Sequence, residues 1–150
     1  MSNTIEQVLL RDGFVVYKVK GVSMNPMLYQ DRDVITVRKK QARLKKYDVA
    51  LYRVPRTDNL VLHRVIRVTP DGYIIRGDNC ITDEVIPEDD VYGVLTDFVR
   101  NKKSYTVRNI RYRIYAVLRV RLYPLRRLRQ KAVIRFWKIA DRVIAKIRKK

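Results

Sequence analysis

Between Phe14 and Val99 the chain has the pattern of several short β-strands joined by turns. The segments are rich in Val, Ile, Tyr and Thr, which favour strands, and Pro, Gly, Asp and Asn cluster between them. Short strands at this spacing predict a small, twisted, partly open barrel or stacked sheets. The predicted strands are Phe14–Val19, Val34–Arg38, Asp48–Val54, Leu60–Val68, Tyr73–Arg76 and Val91–Val99.

A short helix is predicted before the first strand, over residues 3–12. Asn3 or Thr4 can cap this helix, with a Glu or Gln three residues further on in the capping-box position. Gly13 suits the position just past the helix end. The predicted fold is therefore mainly β, twisted and partly open, with a short helix at the N-terminus and helices at the C-terminus.

Positive charge is concentrated in the last third of the chain. The whole sequence holds 34 Lys and Arg against 15 Asp and Glu, a net charge of +19, and residues 101–150 contribute 18 of these cations and a single acid, Asp141. The sequence thus predicts a near-neutral β domain over residues 1–100 and a basic helical tail over residues 101–150. A tail of this kind usually meets an anionic partner.

Apolar residues of the tail recur at helical spacing, and Pro124 divides them into helices of about residues 105–122 and 125–148. Phe136 and Trp137 fall on the apolar side of the second helix, which suits a bilayer interface. Three interpretations stay open: residues 105–150 bind an anionic membrane surface, the helices pack on the β domain, or the tail contacts the phosphate backbone of a nucleic acid.

The sequence predicts no disulfide, metal or cofactor. Cys80 is the single cysteine, and one Cys with one His does not make a zinc site. No secretory signal is predicted at the N-terminus, and uncharged runs of the tail are far shorter than the ~20 residues that span a bilayer. We therefore expect a cytoplasmic protein, with peripheral attachment at the inner face of the cell membrane where the basic tail binds it.

The first chemical candidate is Ser23, in the run Gly21-Val22-Ser23-Met24-Asn25-Pro26-Met27-Leu28. Pro26 has a fixed φ, and a glycine before the serine permits a sharp turn. The run predicts a strand that ends in a stiff corner displaying Ser23. A serine hydroxyl becomes a nucleophile only beside a base, and otherwise it is a loop hydroxyl that bonds nearby backbone.

His63 is the only histidine and the natural candidate for that base. Strand alternation places it on one face with Val61 and Val65, where it is either a buried ring bonded to backbone or a general base. The run from Gly77 to Glu84 (Gly-Asp-Asn-Cys-Ile-Thr-Asp-Glu) is either an Asx turn with solvated carboxylates or the source of an acid that orients the imidazole. The Cys80 thiol is a weaker candidate nucleophile, since its neighbours form no clear activating pattern.

Together and in this order, the serine run, the His-Arg-Val-Ile run at His63 and the Gly-Asp-Asn turn resemble the signal peptidase and LexA-like serine peptidase superfamily. The resemblance covers about residues 14–98. Many members use a lysine base; a histidine at the matching position is similar to the endoplasmic-reticulum and archaeal type of signal peptidase. Gly21 departs from many bacterial signal peptidases, which place a hydroxyl residue there.

The resemblance implies a mostly β fold with the serine at a strand end beside a groove. It implies Ser23 as acyl nucleophile, with its backbone N–H as oxyanion donor, and His63 as base. Asp83 is the implied orienting carboxylate and Asp78 the alternative, with the register between Asp83 and Glu84 open by one residue. The expected function is a serine endopeptidase that cleaves a peptide or precursor protein; the alternative is a basic nucleic-acid-binding protein on an idle peptidase-like scaffold.

Overall fold

The structure is a computed structural model that describes residues 4–55, 57, 59–129, 133 and 135. It divides into two compact units, Met1–Val117 and Leu118–Lys150. The first unit contains an open antiparallel sheet of eight strands in the order β1-β2-β7-β3-β4-β5-β6, with β8 paired to β7. The prediction of a mainly β fold is confirmed.

The sheet is preceded by helix α1 (Ile5–Asp12), and its last strand is followed by helix α2 (Ile110–Arg121). A single 3₁₀ turn, Glu88–Asp90, separates β6 from β7. The strands are β1 (Phe14–Lys18), β2 (Val34–Lys39), β3 (Val49–Arg53), β4 (Leu60–Thr69), β5 (Gly72–Arg76), β6 (Glu84–Pro87), β7 (Val91–Arg100) and β8 (Lys103–Thr106).

All six predicted strands are present, and two further strands were missed. The segment that forms β6 is only four residues long and contains Glu and Pro, so its pattern is weak. Strand β8 follows a turn in which Asn101 and Lys102 both have positive φ, without a glycine to mark it. Because Lys103–Thr106 pairs with β7, the helix predicted from residue 105 begins only at Ile110.

Helix α1 has the caps that its sequence predicts. The Thr4 side chain accepts a hydrogen bond from the Gln7 N–H at 3.3 Å, and the Gln7 side chain accepts one from the Thr4 N–H at 3.1 Å. Gly13 takes the left-handed conformation (φ 78°) and donates to the Leu9 carbonyl. Leu9 is fully buried and joins the helix to the sheet.

Two apolar clusters pack on opposite faces of the sheet because side chains alternate along each strand. In β3, Val49 and Leu51 belong to the first cluster, which also holds Met24, Met27 and Leu28 after β1. Ala50 and Tyr52 belong to the second, together with Val65, Tyr73 and Ile75 of the neighbouring strands. His63 pairs with Ala50 across β3 and β4, which places it on the face of the second cluster as predicted.

The first unit extends past the end of the predicted β domain and includes β8 and the start of α2. Ala116 is buried, and Tyr112 and Tyr115 pack against the first cluster. In the second unit residues 123–129 are helical. The rest of the predicted helix over residues 125–148, with Phe136 and Trp137, lies almost wholly outside the described residues. None of the described helices has the length and apolar content needed to cross a bilayer.

Candidate active site

Ser23 lies in a compact turn rather than at the end of a strand. Strand β1 stops at Lys18, and hydrogen bonds from the Asn25 N–H to the Val22 carbonyl (3.1 Å) and from the Leu28 N–H to the Met24 carbonyl (3.0 Å) close the turn. Met24, Met27 and Leu28 are buried in the first cluster, whereas Val22 is exposed and Ser23 is partly exposed. The apolar pattern of the serine run therefore anchors the turn and leaves the serine at the surface.

The Gly-Asp-Asn turn holds the serine turn in place. The Asn79 N–H donates to the Ser23 carbonyl at 2.7 Å, and the Asn79 side-chain amide donates to the Val22 carbonyl at 3.3 Å. A bond from the Cys80 N–H to the Gly77 carbonyl (3.0 Å) closes the second turn. Two sequence motifs more than fifty residues apart thus meet through the backbone.

Gly77 is the point where the serine turn, the histidine and the cysteine come closest together. A Cβ at Gly77 would lie 2.7 Å from the Ser23 carbonyl oxygen, 2.7 Å from Cys80 Sγ and 3.0 Å from His63 Nε2. These distances are shorter than carbon atoms tolerate, so a larger residue would push the groups apart. The glycine is needed here for close approach.

The Nδ1 side of the His63 ring is fully engaged. Nδ1 lies 2.8 Å from the Tyr52 hydroxyl and 3.3 Å from Glu84 Oε1, and the Tyr52 hydroxyl donates to Glu84 Oε2 at 2.7 Å. Since the single hydroxyl proton goes to Glu84, Tyr52 can only accept from Nδ1, and a lone pair on Nδ1 would also be repelled by the carboxylate. The proton of neutral His63 is therefore on Nδ1.

The opposite ring nitrogen, Nε2, is then a hydrogen-bond acceptor. His63 is only 5% exposed, and within the described residues its Nε2 has no hydrogen-bond partner. Buried polar atoms are normally bonded, and those that are not are often functional. An unprotonated Nε2 beside the serine turn is the arrangement that a general base requires.

Burial lowers the pKa of His63, and the nearby charges of Glu84 and Asp78 oppose this effect only in part. The pKa therefore lies below its usual value, and the ring is neutral at pH 7. A neutral imidazole accepts a proton, and Glu84 stabilises the imidazolium that forms.

The carboxylate at His63 is Glu84, and neither of the two predicted aspartates takes this role. Asp83 forms an ion pair with Arg76 of β5. Asp78 accepts two hydrogen bonds from Arg64, at 2.8 and 2.7 Å. Strand β6 begins at Glu84, and pairing with Ile75 of β5 directs this residue to the histidine.

Arg64 and Asp78 form a buried ion pair directly behind the site, with both side chains almost completely inaccessible. The Arg64 guanidinium also donates to the Tyr112 hydroxyl at 3.1 Å, and the Tyr115 hydroxyl donates to Asp78 at 3.0 Å. Arg64 also donates to the Tyr47 carbonyl at 3.0 Å and to the sulfur of Met27 in the serine turn at 2.9 Å. Arg64 therefore connects β4, the Gly-Asp-Asn turn, the serine turn and α2.

Ser23 is placed near the base but is not bonded to it. Across the described chain, neither the Ser23 hydroxyl nor its backbone N–H makes a hydrogen bond, and His63 Nε2 is not hydrogen-bonded to the hydroxyl. The N–H is therefore available to an oxyanion. In the same described ranges, no group of three His, Cys, Asp or Glu side chains is arranged to hold a metal ion.

A comparison with models of known protein families finds no match to this chain, and a comparison with curated proteins also finds none.

Tyr52 and Arg64 are the site residues that the sequence analysis did not single out. A sequence signal exists for Tyr52, because it lies two residues after Ala50, the partner of His63, and hence on the same face of the sheet. Arg64 follows the histidine directly, and a charged residue inside an apolar strand indicates a buried partner.

Proposed function

We propose that this chain is a serine endopeptidase in which Ser23 is the nucleophile and His63 the general base. The observation that carries the proposal is the state of the histidine: Nδ1 is occupied by Tyr52 and Glu84, and the buried Nε2 is without a partner among the described residues, next to the serine turn. The resemblance to the signal peptidase and LexA-like superfamily points to the same residues.

In the proposed reaction, His63 Nε2 removes the proton of the Ser23 hydroxyl as its Oγ attacks the carbonyl carbon of a peptide bond. The Ser23 N–H stabilises the resulting oxyanion, and the imidazolium then protonates the leaving amine. Water, activated by the same nitrogen, hydrolyses the acyl-enzyme. The serine and histidine side chains must approach each other for the first step, which in many enzymes happens when substrate binds.

The proposed substrate is a peptide or a precursor protein, and the superfamily resemblance suggests small residues before the cleaved bond. We propose that the enzyme works in the cytoplasm at the inner face of the cell membrane, where the high positive charge of the chain would bind an anionic surface and hold the enzyme near such a substrate.

The test is mass spectrometry of a proteome-derived peptide library incubated with the purified chain, with and without anionic vesicles. We expect new peptide termini with the wild type and none with Ser23→Ala or His63→Ala. Ser104→Ala is the matched control, because Ser104 is an exposed serine of β8. Full cleavage by either site variant would refute the proposed mechanism.

Nucleic-acid binding has separate support from a basic cleft in the first unit. Two adjoining cavities of about 590 and 410 Å³ share Asp48, Leu95 and Val107 in their walls. The lining cations that have no ion pair in the described chain are exposed. They are Arg38, Lys39, Lys45, Lys46, Arg108 and Arg113.

We infer that a concave surface bordered by exposed cations suits a single nucleic-acid strand, because the strand can follow a groove with its phosphates near the cations. The test is the salt dependence of binding to a labelled single strand. Replacing Lys45, Lys46, Arg108 and Arg113 by Gln should reduce the slope of log K against log salt by about 3. Replacement of Lys18, Lys20, Arg67 and Lys102, which are exposed outside the cleft, is the charge-matched control. Equal effects of the two sets would refute a cleft-specific site.

A further inference from the structure

The single cysteine of the chain lies inside the proposed active site. The position of a Cβ at Gly77 is 2.7 Å from Cys80 Sγ and 3.0 Å from His63 Nε2, so the thiol and the imidazole border the same small space. Cys80 is partly exposed, which allows a small reagent to reach it. The proposed serine mechanism gives this thiol no role.

A cysteine becomes reactive when a neighbouring group removes its proton, because the thiolate is the nucleophile. His63 has the properties of that neighbour. Its Nε2 is unprotonated, its side chain is buried, and no described residue bonds to this nitrogen, so that it is open to a proton from the thiol. The tautomer fixed by Tyr52 and Glu84 therefore provides a base for the thiol as well as for the serine.

We propose that Cys80 is a modification site for hydroperoxides and small electrophiles, and that its modification switches off the peptidase. The inactivation part of this inference depends on the proposed function; the thiol chemistry does not. A group added to Cys80 Sγ would occupy the space bordered by His63 Nε2 and the Ser23 carbonyl. It would keep the base from the serine hydroxyl and displace the backbone that carries the oxyanion donor.

The oxidation step balances with hydrogen peroxide as the oxidant. His63 Nε2 takes the thiol proton, the thiolate sulfur attacks one peroxide oxygen, an S–O bond forms and the O–O bond breaks. The imidazolium returns the proton to the departing hydroxide, giving water and a sulfenic acid. The sulfur loses two electrons and the peroxide gains them, and a thiol reductant reverses the change.

The first experiment measures the rate of alkylation by iodoacetamide in the full chain, which reports on Cys80 alone because no other cysteine is present. At pH 7 we expect His63→Gln to react about tenfold more slowly than the wild type, since the thiol has lost its base. Above pH ~9, where thiols ionise without help, the two rates should converge. Glu84→Gln keeps the ring and should give an intermediate rate. Equal rates at pH 7 in all three proteins would overturn the proposal.

The second experiment measures peptide cleavage before and after treatment with hydrogen peroxide. Wild-type activity should fall and return with dithiothreitol, whereas Cys80→Ala should stay active throughout. Cleavage by the wild type that peroxide leaves unchanged would refute the switch and leave the peptidase proposal standing. Absence of cleavage in untreated wild type would refute the peptidase proposal, while the alkylation rates would still test the pairing of Cys80 with His63.

Discussion

At the scale of single residues, Glu84 helps Tyr52 to fix the tautomer of His63 and opposes the effect of burial on the pKa of the ring. Its carboxylate holds the Nδ1 proton and raises the pKa of the ring against the effect of burial. We expect Glu84→Gln to reduce peptidase activity at pH 7 on the order of 10²-fold, because the imidazolium formed during catalysis loses its partner.

The same substitution should change the pH profile of kcat/KM. Burial places the pKa of His63 below 6.5, so activity in the wild type should fall only as the pH drops through that lower value. Without the glutamate the pKa falls further, and the acidic limb should move to still lower pH. An acidic limb at the same pH in both proteins would contradict the assignment of Glu84.

The two aspartates near the site should differ in how much they contribute to the free energy of unfolding, because their environments differ. Asp78→Asn leaves Arg64 buried without its counter-charge, and we expect it to lower the free energy of unfolding by about 3–5 kcal/mol. Asp83 is 45% exposed although its partner Arg76 is buried, and we expect Asp83→Asn to cost less than Asp78→Asn, because water reaches this pair through the aspartate, and to keep activity. Urea denaturation measures both values, and comparable losses would contradict the burial argument.

Sequence reasoning singled out Ser23 and His63, but it did not choose Glu84, the carboxylate that lies against the histidine in the structure. Both have distinctive local signals, the proline-fixed turn and the polar residue on an apolar strand face. The acid depends on the path of the chain between Gly77 and β6, where a shift of one residue exchanges Asp83 and Glu84. Spacing cannot resolve such a shift; the pairing of Glu84 with Ile75 does.

At the scale of elements, the candidate site forms where the serine turn, the Gly-Asp-Asn turn and β4 meet. Gly77 allows this close approach because it has no side chain. Gly77→Ala would place a methyl group against the Ser23 carbonyl, which is backbone and cannot rotate away. We expect a loss of about 1–3 kcal/mol in stability together with most of the activity.

Gly13→Ala is the control for this prediction. Gly13 has a positive φ and open space around the Cβ position, so alanine there strains the end of α1 without touching the site. Stability should fall by about 1 kcal/mol while activity stays within twofold. If Gly77→Ala lost no more activity than Gly13→Ala, the close-approach role of Gly77 would be wrong.

Elements with strong periodicity were predictable, whereas short paired ones were not. The ten-residue β4 and β7 are long and rich in β-branched residues. Strands β6 and β8 form because neighbouring strands offer them hydrogen bonds. This is a tertiary effect, and a segment of four residues is too short to show it in its sequence pattern. Missing β8 also led the prediction to begin the C-terminal helix too early.

At the scale of the whole molecule, the first part of the basic region makes contacts that support the residues behind the candidate site. Tyr112 and Tyr115 bond to Arg64 and Asp78, and Tyr105 stacks on Phe98 with ring centres 5.2 Å apart. A chain ending at Arg100 would lose these contacts. We expect it to be destabilised by about 3 kcal/mol or more, since several buried hydrogen bonds and aromatic contacts disappear together.

A chain ending at Arg121, the last residue of α2, keeps those contacts and provides the comparison. Its denaturation midpoint should stay close to that of the full chain. If both shortened chains unfolded at the same denaturant concentration, the contribution of α2 to the site would be refuted.

His63 and Arg64 are consecutive, and they face opposite sides of the sheet. A slip of β4 by one residue against β3 would exchange them, placing a guanidinium among Ala50, Tyr52 and the other residues of the second cluster, and an imidazole against Asp78. The misregistered protein would carry an unpaired buried charge and would be strongly disfavoured. The residues proposed for catalysis and for its support therefore also specify the register of β4 against β3. A chain with the wrong register is less stable because it buries a charge without a partner.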